Sequence, residues 1–174
     1  MSKHLVTIRK AELSHAKCLS SLRKQVREET YRGIYADEML DQYDIFENEL
    51  DFRKQIASEG NDLFLVYLGE ELVGYFGVGK PIYWYPDCSD HNELFLNALY
   101  IIKSYCRKGI GRTVMSFVYQ LGRESGKKKF YNNCNLHNTN AIAFYLACGG
   151  EIVFWENGHT NRAEDQMTFE HTIV

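Results

Sequence analysis

The sequence predicts an α+β fold: a mixed, mostly antiparallel sheet with one parallel strand pair and helices on both faces. Three observations predict it. Residues 63–68 and 72–78 are apolar runs rich in β-branched and aromatic residues, joined by the short polar turn Gly69-Glu70-Glu71, which reads as an antiparallel hairpin. Residues 93–102 read as a strand that passes through Gly109 and Gly111 into a helix, and residues 130–135 read as a further strand beyond that helix. Such a crossover makes the two strands parallel neighbours. Residues 152–155 and 166–172 read as a closing strand pair.

Taken in order, residues 5–8 form a first strand, and Ser14 is placed to cap a helix carrying Leu19, Leu22 and Val26 on one face. Residues 28–51 then hold nine acidic side chains against the single base Arg32. They read either as the solvated face of one or two helices, with Met39, Leu40, Tyr43 and Phe46 buried, or as a field that concentrates a cationic molecule. Tyr31, Gly33 and Tyr35 read as a loop between helices.

In the hairpin, Gly74, Gly77 and Gly79 point to a bulge or a close backbone approach. Residues 80–92 form a connection with two prolines and the cluster Tyr83-Trp84-Tyr85, whose rings either cover the sheet or line a pocket. Val114, Phe117, Val118 and Leu121 recur at helical spacing and Gly126 stops their helix. A last helix runs over 138–148 with Gly149 as its stop.

The chain has 174 residues, 45% hydrophobic and 25% charged, which fits one globular domain over 1–174. It has no apolar run of membrane-spanning length and no signal-peptide pattern, so a cytoplasmic location and no membrane partner are expected. A net charge of −3 gives no basic footprint for nucleic acid. Five cysteines show no C-x-x-C pair and no zinc spacing with the six histidines, so free thiols and no metal are expected. No internal repeat or low-complexity tract is present, and a homodimer stays open.

The junction between the central strand and its helix is the most informative stretch. A helix leaves its first amides without intrahelical partners, and Gly109 and Gly111 remove the side chains that would keep a ligand from them. With Arg107, Lys108 and Arg112 beside the positive end of the helix dipole, a phosphate or pyrophosphate suits the site; a plain strand-to-helix turn is the alternative. A dinucleotide fingerprint needs a third glycine where Val114 stands, and a Walker loop is absent.

Leu99-Tyr100-Ile101, followed by Tyr105-Cys106-Arg107-Lys108-Gly109-Ile110-Gly111, resembles the acetyl-CoA signature of the GNAT superfamily of N-acetyltransferases, Gln/Arg-x-x-Gly-x-Gly/Ala. Asn138-Thr139-Asn140-Ala141-Ile142-Ala143-Phe144-Tyr145, followed by Gly149-Gly150, is similar to that family's Asn-x-x-Ala-x-x-x-Tyr helix. The resemblance runs in outline from Leu5 to the C-terminus and is sharp over 94–150. One departure is Cys106, which stands where the family has Gln or Arg, with Arg107 displaced by one.

The resemblance implies an acyl-CoA N-acyltransferase fold and acetyl-CoA as cofactor. It places the pyrophosphate on Arg107, Lys108, Gly109, Ile110, Gly111, Arg112 and Thr113, and the pantetheine arm alongside Leu99, Tyr100 and Ile101, with Asn138 and Ala141 also at the arm. The N–H of Ile101 would polarise the thioester carbonyl. Tyr145 would act as general acid, since a phenol with a reference pKa of about 10 can protonate a departing thiolate near 8.5. The loop with Tyr31 and Tyr35 would border the acceptor pocket, with Tyr83 and Trp84 lining it.

The base is open. Phe95 and Asn97 fill the strand positions where many relatives place a carboxylate, so Glu93 is the candidate, with His91, His137 and a water relay as rivals. A thiol route through Cys106 or Cys134 lacks an adjacent histidine, which favours direct attack in a ternary complex. The expected reaction is acetyl transfer from acetyl-CoA to a primary amine, the acceptor a small cationic molecule. A protein amine as acceptor, a non-catalytic acyl-CoA sensor and a purely structural protein are the alternatives.

Overall fold

The computed structural model describes residues 5–82 and 93–174. Seven strands form one sheet: β1 (Val6–Lys10), β2 (Asn61–Leu68), β3 (Glu71–Gly79), β4 (Leu94–Ile101), β5 (Lys129–Asn135), β6 (Glu151–Trp155) and β7 (Gln166–Thr172). Their order across the sheet is β1-β2-β3-β4-β5-β7-β6, antiparallel throughout except for β4 with β5. The hairpin, the parallel crossover and the closing pair thus stand as the sequence indicated, but β7 inserts between β5 and β6.

Among the described residues five helices cover the two faces: α1 (Ala16–Tyr31), α2 (Asp37–Asp41), α3 (Ile45–Ala57), α4 (Ile110–Glu124) and α5 (Thr139–Ala147). Strand alternation sends Leu63, Leu65 and Tyr75 to one face, where they meet Leu19, Leu22, Val26 of α1 and Phe52 of α3. Phe64, Val66, Phe76 and Leu96 go to the other, under Ile110, Val114 and Val118 of α4 and Tyr145 of α5.

Two local expectations are corrected. Ser14 caps nothing: α1 is entered through a 3₁₀ turn over Leu13–His15, where Glu12 and His15 cap each other, the Glu12 N–H donating to His15 Nδ1 at 2.9 Å. In the acidic segment only Leu40 is fully buried. Tyr43 is half-buried, while Met39 and Phe46 are exposed, because Asp44 caps α3 at Phe46 and Glu47 and turns that residue outward.

Extra residues break three of the ladders, Val153 of β6 against β7 among them. Val73 is the additional residue of β3 against β2, and Asn97 that of β4 against β3. Gly74 permits the close approach of β4 opposite Ile101, since a Cβ there would collide with the Tyr100 carbonyl and Ile101.

On β7, His171 is buried and stacks on Phe130 with ring centroids 4.3 Å apart. Burial pushes its imidazole down to about 4, from 6.5. An unfolded chain takes up this proton as pH falls through 6.5, whereas the folded one resists until about 4, so stability declines with acidification across that window. Urea titrations at pH 7 and pH 4.5 are expected to differ by up to about 3 kcal/mol from this group; a flat profile between 6.5 and 4 would show that the ring is not held neutral.

Candidate functional site

The site begins where two strands part. β4 pairs with β5 only at Leu94, Phe95 and Leu96, opposite Phe130, Tyr131 and Asn132, whereas β4 continues along β3 as far as Ile101 and β5 along β7 as far as Asn135. Beyond the Leu96–Asn132 rung a gap opens between two strands in the middle of the sheet. The Ile102 N–H bonds to the Val73 carbonyl at 2.9 Å, so by strand alternation Tyr100 also faces β3. The main-chain groups of Leu99 and Ile101 face the gap.

The N-terminus of α4 stands at the open end of the gap. Gly109 is its N-cap in the left-handed region, φ +83°, with no side chain capping the helix. A Cβ on Gly109 would meet nothing within 4 Å, so glycine is there for its backbone and for the open space above the amides of Ile110, Gly111 and Arg112. Gly111 serves a different purpose: a Cβ would come within 2.9 Å of the Phe144 ring of α5. The second glycine joins the two helices.

Around this turn Arg107 adopts φ +60°, rare for a residue with a side chain. Cys106 directs its thiol at the carbonyls of Ile101 and Ile102, 3.7 Å from each. Lys108 lies over the Tyr105 ring at 4.8 Å, and the Tyr105 hydroxyl donates to Glu71 at 2.6 Å. Thr113 bonds back to the Gly109 carbonyl.

Asn138 caps α5, its Oδ1 accepting the Ala141 N–H at 3.1 Å. Its position is fixed from the other side by Asp165, a buried carboxylate that accepts from His137 at 2.7 Å and from the ring and main chain of His159 at 2.8 and 3.1 Å. These bonds lower the Asp165 carboxyl to about 2, the His137 bond contributing most, and its own bond to Asp165 raises His159. His137 is thereby tied toward β7. Sequence reasoning missed this clamp, whose members are up to 28 residues apart. Further along α5, Tyr145 is buried between Phe144, Phe169 and His171.

Glu93 lies at the closed end of the β4–β5 pair, before its first rung, and accepts the Lys129 N–H at 3.4 Å. Asn97, the bulged residue, donates to Asn61 at 3.0 Å and to the Lys80 carbonyl at 2.8 Å and accepts from Ile82 N–H at 3.2 Å. Gln55, Asn61, Leu63, Ile82, Asn97 and Ala98 are among the residues lining a small, largely apolar cavity beside that bulge.

On the α1–α3 face Tyr100 projects to Tyr31, hydroxyl to hydroxyl at 3.2 Å, and Tyr31 stacks on Tyr35 with centroids 4.2 Å apart. The three tyrosines thus form one wall. Burial, reinforced by the neighbouring phenols, raises the Tyr31 pKa. Next to them Arg32 gathers Glu28, Asp37 and Asp41. Tyr83, Trp84 and His91 lie outside the described residues.

Residues 24–149 match the model of the acetyltransferase (GNAT) family. The fold is similar to that of the PaiA N-acetyltransferase of Thermoplasma acidophilum, solved with coenzyme A (TM-score 0.76, 20% identity, 99% of each chain). It is also similar to an acetyltransferase of Thermus thermophilus (TM-score 0.72, 19% identity, 99% of each chain). An uncharacterized N-acetyltransferase from the pepI 3′ region of Lactobacillus delbrueckii subsp. lactis is 28% identical over 102 residues, 59% of this chain and 58% of that relative's length. No helix among the described residues is long and apolar enough to cross a membrane. The family match spans the parting strands, the glycine turn and the Asn138–Tyr145 helix, and on that match the chain belongs to the acetyltransferase (GNAT) family.

Proposed function

We propose that this chain is an acetyl-CoA-dependent N-acetyltransferase that moves an acetyl group to a primary amine by direct attack, with a small cationic molecule as acceptor. The carrying observation is the gap between β4 and β5, edged by the main-chain groups of Leu99 and Ile101 and flanked by the α4 amides and Tyr145. A slot edged by strand groups that no ladder takes up suits an extended arm that contains amides. The open space above Gly109 suits a diphosphate. The Thermoplasma relative was solved with coenzyme A, which supports the same cofactor here.

When bound, acetyl-CoA supplies an acyl group activated as a thioester. The chain's residues do the rest. Ile110, Gly111 and Arg112 offer main-chain donors, and Arg107, Lys108 and Arg112 add positive charge. Leu99 and Ile101 align the arm, the N–H of Ile101 donating to the thioester oxygen, a role worth a few kcal/mol in the barrier. Asn138 keeps its NH₂ group for the arm while its oxygen caps α5. Tyr145 holds a proton for the departing sulfur.

The amine approaches from the face of Tyr31, Tyr35 and Tyr100, whose rings favour an alkylammonium, with the acidic segment beyond them. Glu93, held at the closed end by Lys129, is poorly placed to take the amine's proton. A water relay through the amide of Asn97 serves better.

Tyr145→Phe is expected to lower turnover by roughly 10² or more while CoA affinity stays within about twofold; equal turnover at pH 7 would remove its acid role. Gly109→Asp is expected to abolish CoA binding in calorimetry, because the new charge faces the phosphates and the φ of +83° resists a side chain. Unchanged affinity in a folded variant would overturn the loop assignment. For a cationic acceptor, kcat/KM should fall as salt rises from 0.05 to 0.5 M, by about threefold or more; a flat response across an amine panel would point to a neutral acceptor. Release of free CoA thiol with that panel distinguishes an enzyme from a sensor.

A further inference from the structure

Beneath α4 and α5 a row of polar groups crosses the apolar core. The Tyr119 hydroxyl lies 3.0 Å from the Cys148 carbonyl oxygen and 3.2 Å from Nδ1 of His171, whose Nε2 lies 2.8 Å from the side-chain amide of Asn132. Asn132 and His171 are fully buried; with its oxygen toward Nε2 the Asn132 amide leaves its nitrogen without a partner, and which end of an amide is oxygen is decided by the hydrogen bonds around it.

Counting protons orders the row. A carbonyl only accepts, so the single proton of Tyr119 goes to Cys148, and Nδ1 of His171 must supply the proton of its own contact with Tyr119. The buried ring is neutral at pH 7. Nε2 is therefore bare, and Asn132 must turn its NH₂ toward it. What remains without a partner is the Asn132 carbonyl oxygen. The reverse arrangement strips the Cys148 carbonyl of its donor and strands an NH₂ group, and orphaned donors are rarer in protein interiors than under-satisfied acceptors.

Asn132 stands on the last rung of the β4–β5 ladder, opposite Leu96, at the point where the gap begins. His171 holds one branch of its amide from β7, on the side of β5 away from β4. The other branch is therefore turned from β7. We propose that the Asn132 oxygen is a binding group of the gap, accepting an amide N–H from the arm of the cofactor, with His171 and Tyr119 as positioning residues that keep it aimed.

The proposal rests on the reading of the gap as the cofactor site. The arm is the favoured donor because Asn132 lies on the sheet face covered by α4 and α5, as do Tyr145 and the glycine turn, whereas the tyrosine wall lies on the other face. A buried acceptor left unpaired in the free protein costs stability that a bound N–H restores.

The test uses the full chain, CoA as probe, calorimetry and imidazole ¹⁵N–¹H spectra. The expected results are a proton on Nδ1 of His171 before CoA is added, movement of the Asn132 side-chain amide signals on saturation, and a loss of CoA affinity of about 3- to 10-fold in Asn132→Leu. Asn132→Asp, which keeps the shape, is expected to shift the His171 proton to Nε2 and raise the ring's pKa. A proton on Nε2 in the natural chain, or CoA affinity unchanged in folded Asn132→Leu, overturns the proposal and leaves the cofactor reading standing. No CoA binding by the natural chain removes both.

Discussion

The rest of the structure depends on the interruption of main-chain pairing between β4 and β5. Strands inside a sheet normally keep every N–H and C=O in a ladder, because unpaired main-chain groups removed from water are costly. Here three rungs are made and then abandoned, with both strands continuing on their outer neighbours. What keeps the gap from closing is local and nameable. β5 is committed to β7 up to the Asn135–Gln166 pair, and Asn135 also reaches the Arg162 carbonyl at 2.8 Å. β4 is committed to β3 through Ile101, and its bulge is pinned by the three hydrogen bonds of Asn97.

The bulge has a further effect on which side chains face where. Strict alternation from Leu96 would send Ala98 and Tyr100 under α4. The extra residue Asn97 shifts the phase, so Leu99 and Ile101 join Leu94 and Leu96 on that face while Tyr100 turns to Tyr31. One inserted residue therefore builds both linings, an aliphatic one toward α4 and α5 and an aromatic one toward α1. The two glycines of the turn divide their labour in a similar way. Gly109 supplies a backbone conformation, and Gly111 lets Phe144 seat α5 against α4, which brings the motif around Gly109 and the motif around Asn138 to the same end of the gap.

What was legible in the sequence is what short-range pattern encodes. The hairpin around Gly69, the crossover through α4 and the last helix with its stop at Gly149 follow from periodicity and turn chemistry within a dozen residues. The consequences of Asn97 were not legible, because a bulge is defined by the partner strand. Nor were the clamp of Asp165 on His137 and His159 and the pairing of Asn132 with His171, since each joins residues that only the folded sheet brings together. Phe46 shows the opposite error: its spacing fits an apolar face, yet the Asp44 cap fixes the helix in a rotation that exposes it.

The thiols bear on the choice between direct attack and a covalent acyl-enzyme. A cysteine nucleophile works as thiolate, so it needs a depressed pKa or an adjacent base. Cys134, packed against the core cluster that contains Tyr145, is pushed up to about 12 by burial. Cys106 is raised by burial and by Glu29, and its proton is directed at the carbonyls of Ile101 and Ile102. His137, a base the chain offers beyond β5, is engaged by Asp165 on the side toward β7. Each thiol near the gap is thus held in the protonated, unreactive form, which supports the proposed direct attack over a covalent acyl-enzyme.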